Sequence, residues 1–325
     1  MSKLETLAST TKDQFFRPRR LGHANLYVKD YLDSLKFYTE VAGFREAYVQ
    51  PNNRASFVSN GNTYHDFGLI DVLSRHNHEK SPPGLNHFAF EMENEAELVA
   101  GYNRAVAAGI EFESVQDHDV AHSLYMFDPD GNRVEIYADV IEDWRSNRHG
   151  IINKEKPKWV PGVTSEPSTD RNYPKDPALN IVTDAVFHAR KVTHVALVAK
   201  DYPAMFRYYT GLVGLSPWIG SERSAYAILR GANSAGDVTL YRGRSGETTG
   251  LHHVGCLAAS EAALDRALAA LPKAGIALVG QIDHPARRTV TIRDPNGVRL
   301  QFYVDRDWSL DRIAELDEGD ARELL

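Results

Sequence analysis

The chain carries its own pattern twice. Residues 28–44 read VKDYLDSLKFYTEVAGF, and residues 199–215 read AKDYPAMFRYYTGLVGL, with Lys, Asp, Tyr, Tyr, Thr and Gly recurring in register at an offset of 171. PGLNHFAFEM from Pro83 matches TGLHHVGCLA from Thr249, and DPDGNRVEIYAD from Asp128 matches DPNGVRLQFYVD from Asp294, both at an offset of 166. Three ordered pairs mean an internal duplication, and a chain of 325 residues suits two domains better than one. The pairs place one module at residues 20–142 and a second at 191–306, with an arm at 1–19. Residues 143–190 hold five of the fifteen prolines among polar residues, which reads as a linker of little regular structure draped over a module. The tail, 307–325, spaces Leu310, Ile313 and Leu316 among acids and reads as a surface helix.

Hydrophobic periods show what each module contains. GHANLYVKD alternates, with His23, Asn25 and Tyr27 on one face of a strand and Ala24, Leu26 and Val28 on the other. Asp30 suits an N-cap, Leu32, Leu35, Tyr38 and Ala42 follow at helical spacing, and Gly43 supplies a stop. Short strands near REAYVQ, ASFVS and YHDFGLI complete this unit. LNHFAFEM opens a second unit, with a helix from Glu95 to Ala108 and strands ending at RVEIYA. Each module is then two βαβββ units, and the chain an α+β protein of four such units in two tandem modules with curved mixed sheets.

Composition narrows the function. A net charge of −7 argues against nucleic acid or an anionic membrane as the main partner. The single cysteine, Cys256, excludes an intrachain disulfide framework and any Cys-rich zinc or iron–sulfur site. The first twenty residues lack a signal-peptide core, and no stretch approaches the roughly 18 apolar residues of a membrane helix. A cytoplasmic protein is the expectation, and any metal site must be built from His and carboxylates.

His23 and His87 lie on the opening strands of the first module's two units, and Glu135 on its closing strand. Each alternates against apolar neighbours: Phe88, Phe90 and Met92 around His87, Val134 and Ile136 around Glu135. With the apolar face under the helices, all three polar side chains point to the other surface of the sheet. Two imidazoles and one carboxylate with open positions form the facial triad of non-haem Fe(II) oxygenases.

This order of elements, with DHDVAHSLYMFDPDGNRVEIY at its end, resembles the vicinal oxygen chelate superfamily, and the first module looks most like type I extradiol ring-cleavage dioxygenases. The resemblance implies His23, His87 and Glu135 as ligands of Fe(II), with Mn(II) as the alternative ion. It implies O2 as co-substrate, a small aromatic diol as substrate, and a homo-oligomer. It also makes Tyr125, ten residues before the glutamate, a hydrogen-bond donor to the substrate's phenolic oxygen. His118 would line the pocket, and His65, followed by Asp66, would be the acid–base histidine on the last strand of its unit. His122 is a further candidate substrate contact, although it alternates out of phase with Tyr125. The DPDGN run is a tight turn that sets register, and His76 and His78 read as solvated.

The second module carries His194, His253 and Gln301 at the ligand positions and Thr291 at that of Tyr125, while His284 matches His118. A neutral Gln leaves the charge of a divalent ion uncompensated, so this module reads as chiefly structural. That departs from many two-module extradiol enzymes, whose active copy is the C-terminal one. Two competing readings share the scaffold: a glyoxalase-like metal-dependent isomerase, epimerase or thiol transferase, and a metal-free small-molecule-binding protein.

Overall fold

The computed structural model describes residues 14–325 apart from 155 and 315. The first module's strands are β1 (Arg20–Val28), β2 (Glu46–Gln50), β3 (Ala55–Val58), β4 (Phe67–Asp71), β5 (Gly84–Glu91), β6 (Ser114–Asp117), β7 (Ala121–Phe127) and β8 (Arg133–Asp139). With β9 (Gly150–Ile151) they form one sheet in the order β6-β7-β8-β5-β1-β4-β3-β2-β9. The second module contributes β10 (Ala189–Ala199), β11 (Ser216–Ile219), β12 (Tyr226–Arg230), β13 (Val238–Arg242), β14 (Gly250–Ala258), β15 (Leu278–Asp283), β16 (Arg287–Arg293) and β17 (Arg299–Asp305). Their order is β11-β12-β13-β10-β14-β17-β16-β15. In both sheets the first and last strands of each unit pair in parallel and the two opening strands pair antiparallel. These are the four units that the repeat requires.

Asp30 caps the helix Tyr31–Glu40 by accepting from the backbone N–H groups of Leu32 and Asp33. The stripe it buries is Ser34, Phe37 and Tyr38, while Leu32, expected to face the core, is 53% exposed. The inward face is turned away from Leu32, since Tyr31 and Leu35 also pack against the core. Below it Ala24, Leu26 and Val28 join Phe88, Phe90, Val134 and Ile136 in the main core. Each fully buried aromatic or aliphatic side chain there is worth roughly 1.5–3 kcal/mol.

The modules meet through contacts that repeat the sequence offset. Asp66 of the first accepts the N–H of Val192 at 3.0 Å, and Asp237 of the second accepts the N–H of Leu21 at 2.5 Å. Burial pushes both carboxyls up to about 6. Tyr209 donates to Asp128 at 2.7 Å and Tyr38 to Asp294 at 3.3 Å, so each DPxG turn anchors the other module's first helix. Gly43 (φ 84°) and Gly214 (φ 83°) admit the carbonyls of Phe187 and Phe16, which any Cβ would strike.

The linker has little regular structure, a 3-10 turn at Trp144–Ser146 and the pairing of Gly150 and Ile151 with β2, and it lies on the modules with Trp159 and Tyr173 buried. One expectation needs correction. The tail is not a surface helix but two short ones, Leu310–Ala314 and Glu318–Leu324, whose Ile313, Leu316, Ala321 and Leu324 are buried against the second module. Its acids had masked a packing face. No helix among the described residues is long and apolar enough to cross a membrane.

Candidate metal centre

Three adjacent strands deliver the cluster. In the ladders His23 on β1 stands opposite Ala89 on β5, and Ala89 opposite Glu135 on β8. His87 lies two residues before Ala89, hence on the same face. Ala89 is the device that matters, because its small side chain lets the flanking imidazole and carboxylate meet above it. One nitrogen or oxygen from each of His23, His87 and Glu135 lies within 4.8 Å of the others, and all three residues are buried.

Glu135 Oε2 is 3.2 Å from Nε2 of His23 and 2.9 Å from Nε2 of His87. Asn86 Oδ1 accepts a hydrogen bond from Nδ1–H of His87, which leaves Nε2 as the lone-pair nitrogen. Burial lowers His87 to about 4, so the imidazole is neutral at pH 7. Burial opposes charge on Glu135 too, but the facing His23 and His87 outweigh it and hold the carboxyl well below its ordinary range. A neutral nitrogen lone pair and an ionised oxygen so close are donors suited to share a cation. The residues present fit a divalent metal, and Glu135 Oε1 and Nδ1 of His23 are buried without partners.

Around the cluster the structure places three of the four other sequence candidates. Tyr125 on β7 faces Glu135 across the ladder, and its hydroxyl is 3.0 Å from Nε2 of His118. Burial and Glu135 push the phenol well above its ordinary value, which keeps it a neutral donor. His65 lies 4.1 Å from His23, ring centre to ring centre and tilted by 44°, with Tyr48 OH 3.4 Å from its Nδ1 and with Nε2 buried and unpartnered. Burial, and then neighbouring His23, holds His65 well below its ordinary value. It lies two residues ahead of β4 and not on a strand as expected, because the segment from Asn60 to Asp66 turns inward before pairing begins.

His122 is not in this cluster. Ala121, Ser123 and Tyr125 share one face of β7, so His122 projects from the other, 2.6 Å from Glu95 and stacked on Trp159. The alternation that disfavoured it in the sequence decides its place. Tyr48 and Asn86 went unnoticed in the sequence; Asn86 adjoins a histidine of the cluster, a signal that was there to be used. The linker also reaches the cup. Arg148 donates to the carbonyl of His118, and Lys156 Nζ donates at 2.6 Å to Gln116, whose cross-strand partner Ser123 lies on the face of Tyr125.

The second module shows what the same frame does without the acid. His194 and His253 lie 5.5 Å apart by ring centres, and Gln301 spends its Nε2 on the carbonyl of Glu323 at 2.8 Å. Tyr241 OH and Thr289 also donate to carbonyls of the helix Glu318–Leu324. The chain's own tail therefore closes this cup. His284 accepts from the N–H of Ala286 and serves a turn, unlike His118.

A family model described as the Glyoxalase/Bleomycin resistance protein/Dioxygenase superfamily matches residues 20–136 and 191–302, one stretch in each module. The chain is 26% identical over 201 residues to a catechol-2,3-dioxygenase of Bacillus subtilis (strain 168), covering 60% of this chain and 64% of that enzyme. In fold it is similar to the 2,3-dioxygenase LapB from Pseudomonas sp. KL28, with TM-score 0.64, 17% identity, and 89% and 93% of the two chains covered. The Mn(II)-bound glyoxalase from Novosphingobium aromaticivorans is as similar, with TM-score 0.63, 18% identity, and 90% and 84% covered. With both repeats matched and the four-unit topology in place, the chain belongs to the glyoxalase/bleomycin resistance/dioxygenase superfamily.

Proposed function

We propose that the protein is an Fe(II)-dependent extradiol dioxygenase that opens the ring of a catecholic substrate with O2, its active site lying in the first module. The observation that carries this reading is the buried His23–His87–Glu135 cluster, which stops at three ligands among the described residues. Two imidazoles and one carboxylate suit non-haem Fe(II), and the relatives named for dioxygenase activity point the same way.

Held by these three side chains, Fe(II) would supply open positions for the diol and for O2 side by side, together with the electron to activate O2. The remaining chemistry falls to the chain. Glu135 contributes one negative charge, so a monoanionic catecholate leaves the site neutral. Tyr125, protonated and paired with His118, donates to the substrate oxygen on its side. His65 is neutral, and its free Nε2 can take a proton from the diol and return it to an oxygen later in the reaction. The linker's Arg148 and Lys156 are tied to the β6–β7 side of the cup, where they would help to limit water that competes for the same positions.

A glyoxalase-type isomerase would need no O2 and would work with redox-inactive ions. Anaerobic reconstitution with Fe(II), then a catechol panel followed by oxygen uptake and visible absorbance, separates the two. Stoichiometric oxygen uptake with a new visible band supports ring cleavage; turnover with Mg(II) or Zn(II) in the absence of O2 contradicts it.

A further inference from the structure

We propose that the cleft where the modules meet is a binding site for a small multivalent oxyanion, bearing either a phosphoryl group or two carboxylates. A cavity of about 390 Å³ opens there, at the lower end of the ~300–1,000 Å³ typical of small-molecule sites. Its walls come in repeat-related pairs. Arg19 and Arg190, Arg20 and Lys191, Asn62 and Asn233 each lie 171 residues apart, the spacing that also relates Asp66 to Asp237. The cleft therefore sits on the axis that relates the two modules and is lined from both sides by equivalent groups.

The two sides differ in charge balance. In the first module Arg20 stands opposite Glu91 in the β1–β5 ladder, and the Glu91 carboxylate pairs with both Arg19 and Arg20. In the second, Lys191 stands opposite Leu257 at the same ladder position, and Leu257 lines the cavity. The acid that answers the first pair of cations is missing from the second. Among the described residues no carboxylate lies within 4.0 Å of Arg190, Lys191 or Lys175, the cation that the linker adds to the wall. Asp176 is the one acid lining the cavity. Burial and the nearby Arg20 lower the Lys191 amine from its ordinary value, outweighing the opposing pull of Asp66 and Asp237.

A second observation points to a ligand. Asn62 is 1% exposed, and its oxygen atoms accept from Arg20, yet its Nδ2 is buried without a partner while it lines the cavity. An amide donor, with cations on both walls, is the complement of an oxyanion with acceptors on two sides. In a chain of net charge −7, this cluster is a local inversion of sign.

Titration calorimetry at constant ionic strength tests the site, with inorganic phosphate and succinate as probes. Saturable binding of one equivalent per chain is expected, phosphate alone indicating a phosphoryl ligand and succinate alone a dicarboxylate. Leu257→Glu restores the missing acid and should weaken binding at least tenfold. Arg190→Ser with Lys191→Ser, both at the surface end of β10, should do the same, so a folding defect in the first variant leaves the test intact. Glu135→Gln, in the metal cluster, should bind like the wild type. No saturable binding of either probe, wild-type affinity in both cleft variants, or loss of binding only with Glu135→Gln would overturn the proposal.

Discussion

Nε2 of His87 lies 2.9 Å from Oε2 of Glu135, and both residues are buried. With His87 neutral and its other nitrogen engaged by Asn86, the pair presents a lone pair and a carboxylate oxygen to one point, as the proposed metal requires. Glu135→Gln removes the negative charge while keeping the shape. Metal content after gel filtration should fall below stoichiometry, and affinity by more than the ~10–100-fold that loss of a supporting partner costs. Elemental analysis and competition with a chelator check this.

Tyr125 carries a different part of the work. In the proposed reading its phenol is a hydrogen-bond donor and the ligands are His23, His87 and Glu135, so Tyr125→Phe should retain metal. If its hydroxyl stabilises charge on the chelated oxygen, kcat falls by ~10²–10³-fold, in the range seen for a lost oxyanion donor. Steady-state oxygen uptake with the metal content measured in parallel separates this from a binding defect.

His122 belongs to the packing between sheet and linker. His122→Ala leaves Glu95 without one of its partners under Trp159 and should cost roughly 1–3 kcal/mol in urea unfolding. Metal retention and kcat should stay at wild-type levels. A loss of turnover in folded, metal-loaded protein would return His122 to the site.

The modules' contact makes stability depend on pH. Asp66 holds its carboxyl up to about 6 in the native state against an ordinary 3.8, as does Asp237. Between these values the native state keeps a proton that the unfolded chain has released. Stability is thus greatest below the ordinary value and is lost as pH rises through about 6, by up to roughly 3 kcal/mol for each carboxyl. In urea titrations at about pH 4 and about pH 7, wild type should lose more stability between the two than Asp66→Asn does.

Much of this was legible in the sequence because the repeat and the period of two are local signals. The offsets of 171 and 166 give four units, and alternation puts His23, His87 and Glu135 on one face and His122 on the other. What could not be read is what depends on chain segments meeting at a distance. Nothing near Lys156 announces that it reaches Gln116, and nothing in the acidic tail announces that Glu323 will take up Gln301. His65 was found by resemblance but put on a strand, since its alternating neighbours hide the inward turn before β4. Ala89 and Asn86 were in plain view, but their roles follow only from the ladder.

The most direct test of ring cleavage is the fate of the oxygen atoms. Fe(II)-loaded protein, given a catechol under ¹⁸O2 and quenched after one turnover, should yield a ring-opened product in which mass spectrometry finds both labelled atoms, apart from carbonyl exchange. Product formed under argon, or product carrying no label, would contradict the dioxygenase reading and leave the first module with a different metal-dependent reaction.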